Sequence, residues 1–263
     1  MKVYVINMER SKSRRVAIKK QLSRLKLDHE IISAVDGRSM SDAELEGIVN
    51  PAEFTKSQAG CMLSHCKVYE AMQRSNDPYA LVLEDDVLIT DNKLKEMLGN
   101  MQPMLHDKHI TLLTYYWCRE NSLLLDKIQP ERKISGAAGN YFLCAPEEIH
   151  GIGRAAAYIL SKDTARRILD FHQPKLICQA DSWIVYYKEG VIGGVDCLYP
   201  MPITENPQFG SEIGYTRNKA EAFAKKLVEK AVNMNLPVIS TMIKKKRMNF
   251  AQGYKNIKLN NEN

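Results

Sequence analysis

Apolar positions along the chain switch between two periods, and the switches mark an ordered series of strands and helices. Lys2–Asn7 (KVYVIN) is a nearly unbroken apolar run, the pattern of a strand buried on both faces. Ser11 then opens a predicted helix with Val16, Ile18, Leu22 and Leu25 as its apolar stripe. Glu30–Val35 reads as a second strand, stopped by the turn signal Asp36-Gly37. Strand, helix and strand in this order predict a βαβ opening, and with it an α/β fold with parallel pairing. Ser41–Val49 and Ser57–Arg74 follow as helices, the first closed by Asn50-Pro51. Further strands are predicted at Ala80–Leu83, Ile110–Tyr116, Ala155–Leu160 and Val191–Leu198. Helices are expected from Ser161 through Leu169 and over Ala180–Tyr187, and Pro200, Pro202 and Pro207 mark a loop leaving the sheet. No internal repeat occurs.

Length and composition fit this picture. The 263 residues suffice for one large domain plus a tail, with 44% apolar and 26% charged residues. No window approaches the ~20 apolar residues of a membrane span, and the basic run after Ile6 does not resemble a signal peptide. The six cysteines contain no C-x-x-C and sit mostly in apolar surroundings. They are read as buried free thiols of a reducing compartment, so a cytoplasmic protein is expected. The net charge of +6 is uneven: residues 217–263 hold eleven Lys and Arg against three Glu, leaving 26 basic and 28 acidic residues before them. The excess belongs to the tail, which argues against a nucleic-acid partner for the body. Domains are therefore placed at 1–216, the folded body, and 217–263, a basic helical C-terminal extension.

The strand at Ala80–Leu83 drives into Glu84-Asp85-Asp86 and is followed by Val87, Leu88 and Ile89. Three adjacent acids between greasy flanks repel one another, and a hard divalent cation would resolve the conflict. Strand alternation points Glu84 and Asp86 together and Asp85 away. An acidic turn or a helix N-terminus accounts for the same residues without a metal. Neither G-x-G-x-x-G nor a P-loop occurs. A bound nucleotide would then have its phosphates neutralised by metal and basic side chains, as in a nucleotide-sugar transferase.

Taken together, the motifs resemble glycosyltransferase family 25, the bacterial lipooligosaccharide galactosyltransferase-like proteins, whose relatives include collagen galactosyltransferases. The resemblance rests on Val5-Ile6-Asn7-Met8-Glu9-Arg10-Ser11 with Arg14-Arg15, on Ala34-Val35-Asp36-Gly37, and on Ala59-Gly60-Cys61-Met62-Leu63-Ser64-His65. It continues through Leu83-Glu84-Asp85-Asp86-Val87, Gly153 with Ala157-Tyr158-Ile159-Leu160-Ser161, and Ala180-Asp181. It covers about residues 1 to 215. It departs from the family pattern at Met8, at Gln58-Ala59 and over Leu123–Glu148, the stretch expected to meet the acceptor. The resemblance implies a GT-A-like, Rossmann-type, mainly parallel sheet flanked by helices, a UDP-sugar donor, Mn²⁺ or Mg²⁺, and inversion at the anomeric carbon.

In that frame Glu84 and Asp86 are the expected metal ligands, with Asp86 the more direct, and Asp85 is expected to bond ribose or donor sugar. Asn7 is placed at the uracil edge and Arg10 on the diphosphate, with Arg15 as a further donor contact. Asp36-Gly37 is a turn that either touches ribose or only turns. Gly60, Ser64 and His65 are expected in the donor pocket, Gly60 by allowing close approach. Arg14 is read as a solvated residue of the helix start. An inverting transferase needs a base for the acceptor hydroxyl, and Asp181 is the candidate, with Trp183 available to stack on a sugar; Asp181 as a helix N-cap is the competing reading. Glu205 and Glu212 are weaker candidates for closing over the donor. The tail pairs an apolar face (Phe223, Leu227, Val228) with Lys225, Lys226, Lys230 and Lys244–Arg247, which suits peripheral contact with an anionic membrane and a lipid-linked saccharide acceptor. A glycoside hydrolase fits poorly, because adjacent acids on one strand cannot flank a scissile bond. A catalytically silent carbohydrate-binding homologue remains the alternative from another class.

Overall fold

The computed structural model describes residues 1–50, 54–117, 128–136 and 139–209. In chain order the elements are β1 (Lys2–Asn7), α1 (Lys12–Arg24), β2 (His29–Ser33), α2 (Asp42–Ile48), α3 (Lys56–Arg74), β3 (Tyr79–Glu84) and β4 (Val87–Ile89). They continue with α4 (Leu94–Met101), β5 (His109–Leu112), β6 (Tyr116–Trp117), β7 (Ile128–Gly136), β8 (Gly139–Pro146) and β9 (Ile152–Gly153). The last are β10 (Ala157–Ser161), α5 (Lys162–Phe171), α6 (Trp183–Lys188), β11 (Gly194–Tyr199) and β12 (Ile203–Glu205). The main sheet runs β2-β1-β3-β10-β5-β11-β8-β7. Six of these eight strands point one way, while β10 and β8 are antiparallel to their neighbours. The predicted mixed, mainly parallel α/β sheet is thus the fold.

Helices cover both faces, as near-continuous apolar strands require. Val3, Val5, Leu81 and Leu83 pack with Ile18 and Leu22 of α1 and Leu94, Met97 and Leu98 of α4. Their strand neighbours Tyr4, Ile6, Ala80 and Val82 pack on the other face with Met62 and Tyr69 of α3, Ile168 of α5 and Trp183 of α6. This two-residue alternation decides the site. Glu84, opposite Ile6, continues the α3 face, and Asp85 continues the α1 face.

The buried stripe of α1 is Arg14, Ile18, Leu22 and Leu25, spaced four, four and three residues apart, and Val16 is 68% exposed. The predicted stripe was therefore wrong at its first position, because the inward place one turn above Ile18 is taken by an arginine. Gln21 of the same helix bonds β4 from the side: its Nε2 donates to Val87 O at 3.2 Å and its Oε1 accepts from Ile89 N at 2.8 Å.

Strands β4, β7, β8, β9 and β12 lie where none was expected. The β7–β8 hairpin falls in the stretch read as loose; β7 carries Pro130 at a register shift, tolerable because β7 is an edge strand. In the proline-rich loop, β12 pairs antiparallel with β4, setting Glu205 opposite Val87. The predicted helix at Ala180–Tyr187 starts only at Trp183. The predicted tail helix, its basic cluster and Glu212 lie outside the described residues.

Helix α3 is fixed at its start by a capping box between Thr55 and Gln58. One turn later it abuts the Asp36-Gly37 turn without side chains between. A Cβ on Gly60 would lie 2.5 Å from Gly37 N and 2.7 Å from Gly37 Cα. Gly60→Ala is therefore expected to cost about 1–3 kcal/mol by overpacking, although Ala for Gly in a helix interior ordinarily gains ~1 kcal/mol. Urea unfolding checks this against Gly99→Ala in α4, where a Cβ meets nothing within 4 Å. Opposite shifts of the two midpoints are expected.

Candidate functional site

The strand ends β1 and β3, the 34–37 segment and the first turns of α1 and α3 enclose a cleft. Its walls include Met8, Arg10, Arg14, Asp36, Gly37, Cys61, Ser64, His65 and all three acids, Glu84, Asp85 and Asp86. This position, at the carboxyl ends of parallel strands, is where α/β sheets present ligands.

On the α1 side the polar groups are committed to one another. Asn7 Nδ2 donates to Asp85 Oδ2 at 2.6 Å and to Ser11 O at 3.3 Å. Arg14 Nη1 donates to Asp85 Oδ1 at 3.0 Å and reaches Asp86 Oδ2 at 3.5 Å. Asn7, Arg14 and Asp85 are all buried. One expectation is corrected here. Arg14 is a buried ion-pair partner of the acids, not a solvated residue. Asp85 and the Asn7 amide nitrogen hold each other, while Asn7 Oδ1 is buried without a partner. Phe209 covers this knot, its ring centroid 5.6 Å from the Arg14 guanidinium carbon.

Asp86 sits in the turn between β3 and β4, and its carbonyl accepts from Asn206 N at 2.8 Å. Burial and then the neighbouring Glu84 push its carboxyl up to about 6, while Arg14 pulls it back. Asp85 is raised as well, first by burial, with Asn7 and Arg14 opposing. A cluster that hinders its own ionisation in this way fits a cation, and carboxylate oxygens are the donors that Mn²⁺ and Mg²⁺ accept.

Around the turn of residues 34–37 the polar groups are again internal. Ser64 Oγ accepts from Val35 N at 2.8 Å and donates to Gly60 O at 2.6 Å. Gly60 gives close approach to the chain's own Gly37, not to a ligand. Both residues build the wall. Asp36 caps a short 3₁₀ turn by accepting from Arg38 N at 3.2 Å, and Arg10 forms an ion pair with it at the mouth of the cleft. Arg15 is exposed on α1 and does not line the cleft.

On the α3 side, His65 is buried, with Nδ1 bonded to Tyr158 Oη at 2.7 Å and Nε2 3.7 Å from Glu84 Oε1. Cys61 lies one turn earlier. Burial, followed by Glu84, Asp181 and Asp86, pushes its thiol well up. Asp181 therefore acts on the same space, although it does not line the cleft. It is not an N-cap, since that place is Ser182; its Oδ2 accepts from Arg154 N at 3.0 Å. Arg154 holds a positive φ of 93° and pairs through its guanidinium with Glu205. Trp183 is fully buried against Tyr158 and Tyr186, which corrects its expected role as a sugar platform. Cys61 and Arg14, which lie within the motifs, and Arg154, which does not, are the site residues for which no part in the site was expected. Only Cys61 had a visible signal, its spacing of four from His65.

The raised Asp86 makes the metal-free protein pH-sensitive. A carboxyl with a higher pKa folded than unfolded stabilises the fold below the unfolded value, and that contribution is lost as pH rises through the folded one. Between about pH 4 and pH 6, unfolding free energy in EDTA should fall by on the order of 2 kcal/mol. Asp86→Asn should flatten that slope, as read by denaturant titration at several pH values.

The family model described as glycosyltransferase family 25 (LPS biosynthesis protein) matches residues 1–184. A glycosyltransferase 25 family member of Anopheles gambiae is 38% identical over 96 residues, covering 32% of this chain and 16% of that protein. Procollagen galactosyltransferase 1-B of Xenopus laevis is 26% identical over 145 residues, covering 51% of this chain and 23% of that protein. The inactive glycosyltransferase 25 family member 3 of Mus musculus is 28% identical over 117 residues, covering 40% and 20%. The chain thus spans about a quarter or less of the length of these relatives. A solved glycosyltransferase involved in glycosylation of the major capsid of PBCV-1 aligns over 79% of this chain and 96% of that one, at 8% identity and a TM-score of 0.31, too low to bear on the fold. With the family model spanning well over half of the sequence, and the acids and α3 motif that first suggested it gathered in one cleft, the chain belongs to glycosyltransferase family 25.

Proposed function

We propose that the protein is an inverting, metal-dependent transferase that moves a hexose, galactose in the first instance, from a UDP-sugar to a saccharide acceptor of lipooligosaccharide or LPS. The observation that carries this reading is the acid cluster Glu84-Asp85-Asp86, opening into a cleft beside the basic side chain of Arg10. Glu84 and Asp86 hold the divalent ion, Mn²⁺ or Mg²⁺. Bound there, it supplies charge neutralisation for the departing diphosphate.

The chain's own residues do the rest. Arg10, on the loop after β1, has five donors suited to phosphate oxygens. It is 45% exposed, and its pairing with Asp36 keeps it at the mouth until an anion arrives. Asp36 and Gly37 form the rim on which a ribose rests. Asp181, whose Oδ2 accepts from the Arg154 backbone N–H, takes the acceptor proton. The Arg154–Glu205 pair ties that region to β12, and through Asn206 N to the Asp86 carbonyl.

A second reading is favoured by one observation: a relative is described as inactive. A silent homologue would bind UDP without turnover. Retention of all three acids speaks against this, since a site without chemistry is free to shed a repulsive cluster.

The test is UDP release from a panel of UDP-sugars with Mn²⁺ and then with EDTA. Metal-dependent release with one sugar is expected, and Asp86→Ala should lower kcat at least about 10²-fold, the several kcal/mol expected of a metal ligand. Binding of UDP without release, even with saccharide acceptors, would favour the silent homologue. Absence of both UDP and metal binding would overturn the reading of the site.

We also propose that the basic segment 217–263 makes peripheral contact with anionic membrane. Liposomes containing anionic lipid should co-sediment the full chain better than a version ending at Tyr215; equal binding would dismiss the idea.

A further inference from the structure

Cys61 and His65 stand one turn apart on α3 and face the end of β3. One ligand atom from each, together with a Glu84 carboxylate oxygen, lies within 4.8 Å of the other two. His65 is 1% exposed, and its Nε2 is buried with no hydrogen-bond partner. A buried polar atom without a partner is costly and rare, so this one requires an account. Its other nitrogen is fully used. Nδ1 bonds Tyr158 Oη at 2.7 Å, and Tyr158 Oη bonds Tyr69 Oη at 2.7 Å, deep in the core. With Nδ1–H as the donor of that bond, Nε2 keeps its lone pair 3.7 Å from Glu84 Oε1, the tautomer of a metal-ligating histidine with an oriented second partner.

The same geometry excludes a nucleophilic Cys-His-Glu relay. A relay needs the acid on one ring nitrogen and the thiol on the other. Here the acid is nearest Nε2 and Nδ1 belongs to a tyrosine, so neither ring nitrogen is left for the thiol. Three donors converging on one point suit a cation instead.

We propose that Cys61 Sγ, His65 Nε2 and the Glu84 carboxylate are the ligands of a transition-metal site that prefers Zn²⁺ or Co²⁺ to Mg²⁺. Sulfur and imidazole donors select these ions, whereas Mg²⁺ takes oxygen ligands in octahedral array. Two ligands four residues apart on one helix, with a third from a neighbouring strand, leave a coordination position open to the cleft. The helix is held in register by the Gly60–Gly37 contact and by Ser64, the residues flanking the two ligands. The inference deepens the proposed function and rests on it: it keeps Glu84 as a ligand, adds Cys61 and His65 to the Glu84–Asp86 pair, and narrows the ion from Mn²⁺ or Mg²⁺ to a transition metal. Its test does not depend on sugar transfer.

The experiment is titration of the reduced, metal-stripped full chain with Co²⁺, followed by absorption. One equivalent should produce a thiolate-to-cobalt charge-transfer band in the near ultraviolet and intense visible bands of a low-coordinate ion. Zn²⁺ should erase both, and Mg²⁺ in large excess should not. Cys61→Ser should remove the near-ultraviolet band and weaken Co²⁺ binding at least about tenfold. Cys66, Cys144, Cys178 and Cys197 are buried free thiols, and Cys118→Ser, outside the described residues, should leave the spectrum unchanged. Weak visible bands without charge transfer, indifferent to Cys61→Ser but lost in Asp86→Ala, would overturn the proposal and leave a carboxylate-only metal site for the transferase. No Co²⁺ binding at all would overturn it as well. A charge-transfer band in a protein that releases no UDP would uphold this site while the transferase reading fails. The wild-type spectrum carries the test even if a variant folds poorly.

Discussion

Three adjacent carboxylates at the end of a central strand, Asp85 buried and Glu84 and Asp86 half-buried, call for a positive charge in the same place. Arg14 delivers it. Its guanidinium occupies the top of the α1 stripe, where Ile18, Leu22 and Leu25 mark the rest of the inward face, and it grips Asp85 while reaching Asp86. Asn7 completes the knot from the end of β1. The rotation of α1, the exit of β1 and the turn after β3 all follow from that arrangement. Removing one partner would leave an unpaired charge in the interior, which is far more damaging than the pair is stabilising.

Asp85 is held by Arg14 and Asn7, and Glu84 and Asp86 line the cleft beside it. Strand alternation gives Glu84 to the α3 side, and the β4–β12 pairing holds Asp86 from below through Asn206. The opposite wall is equally rigid. Gly60 against Gly37 and Ser64 against Val35 fix α3 to the segment that follows β2. The cleft thus lies between two tight joints, one ionic and one made of bare backbone. A site that must present two carboxylates and a histidine to a charged ligand gains from such preorganisation.

Much of this was legible in the residues. The βαβ opening, the order of the later strands and the convergence of the acids with Asp36, Gly60 and His65 follow from period and motif. What escaped has identifiable causes. Arg14 was missed because stripe reading looks for apolar residues, and Val16 offered itself two positions away. The β7–β8 hairpin was missed because an edge strand tolerates Pro130 and the charges around it, so its pattern is that of a loop. The bonds and contacts that Asn7, Asp85, Gly60 and Ser64 make within the chain escaped for a related reason. A motif marks a residue as special without saying whether the partner is a ligand or the chain itself. Trp183 shows the same limit, since only packing tells a core indole from a sugar platform.

The place of β10 in the sheet has a consequence for the order of synthesis. β1, β2 and β3 all come from the first 84 residues and pair directly, so one half of the sheet can assemble as soon as it emerges. The other edge of β3 must wait for β10, which begins at Ala157. At about 5–20 residues per second, the roughly seventy intervening residues take on the order of 4–15 s to appear. Through that interval the nascent chain carries an open apolar strand edge, the kind of template that pairs with the wrong partner. Production of this protein is thus governed by how well that edge is sheltered on the ribosome as much as by the stability of the finished fold.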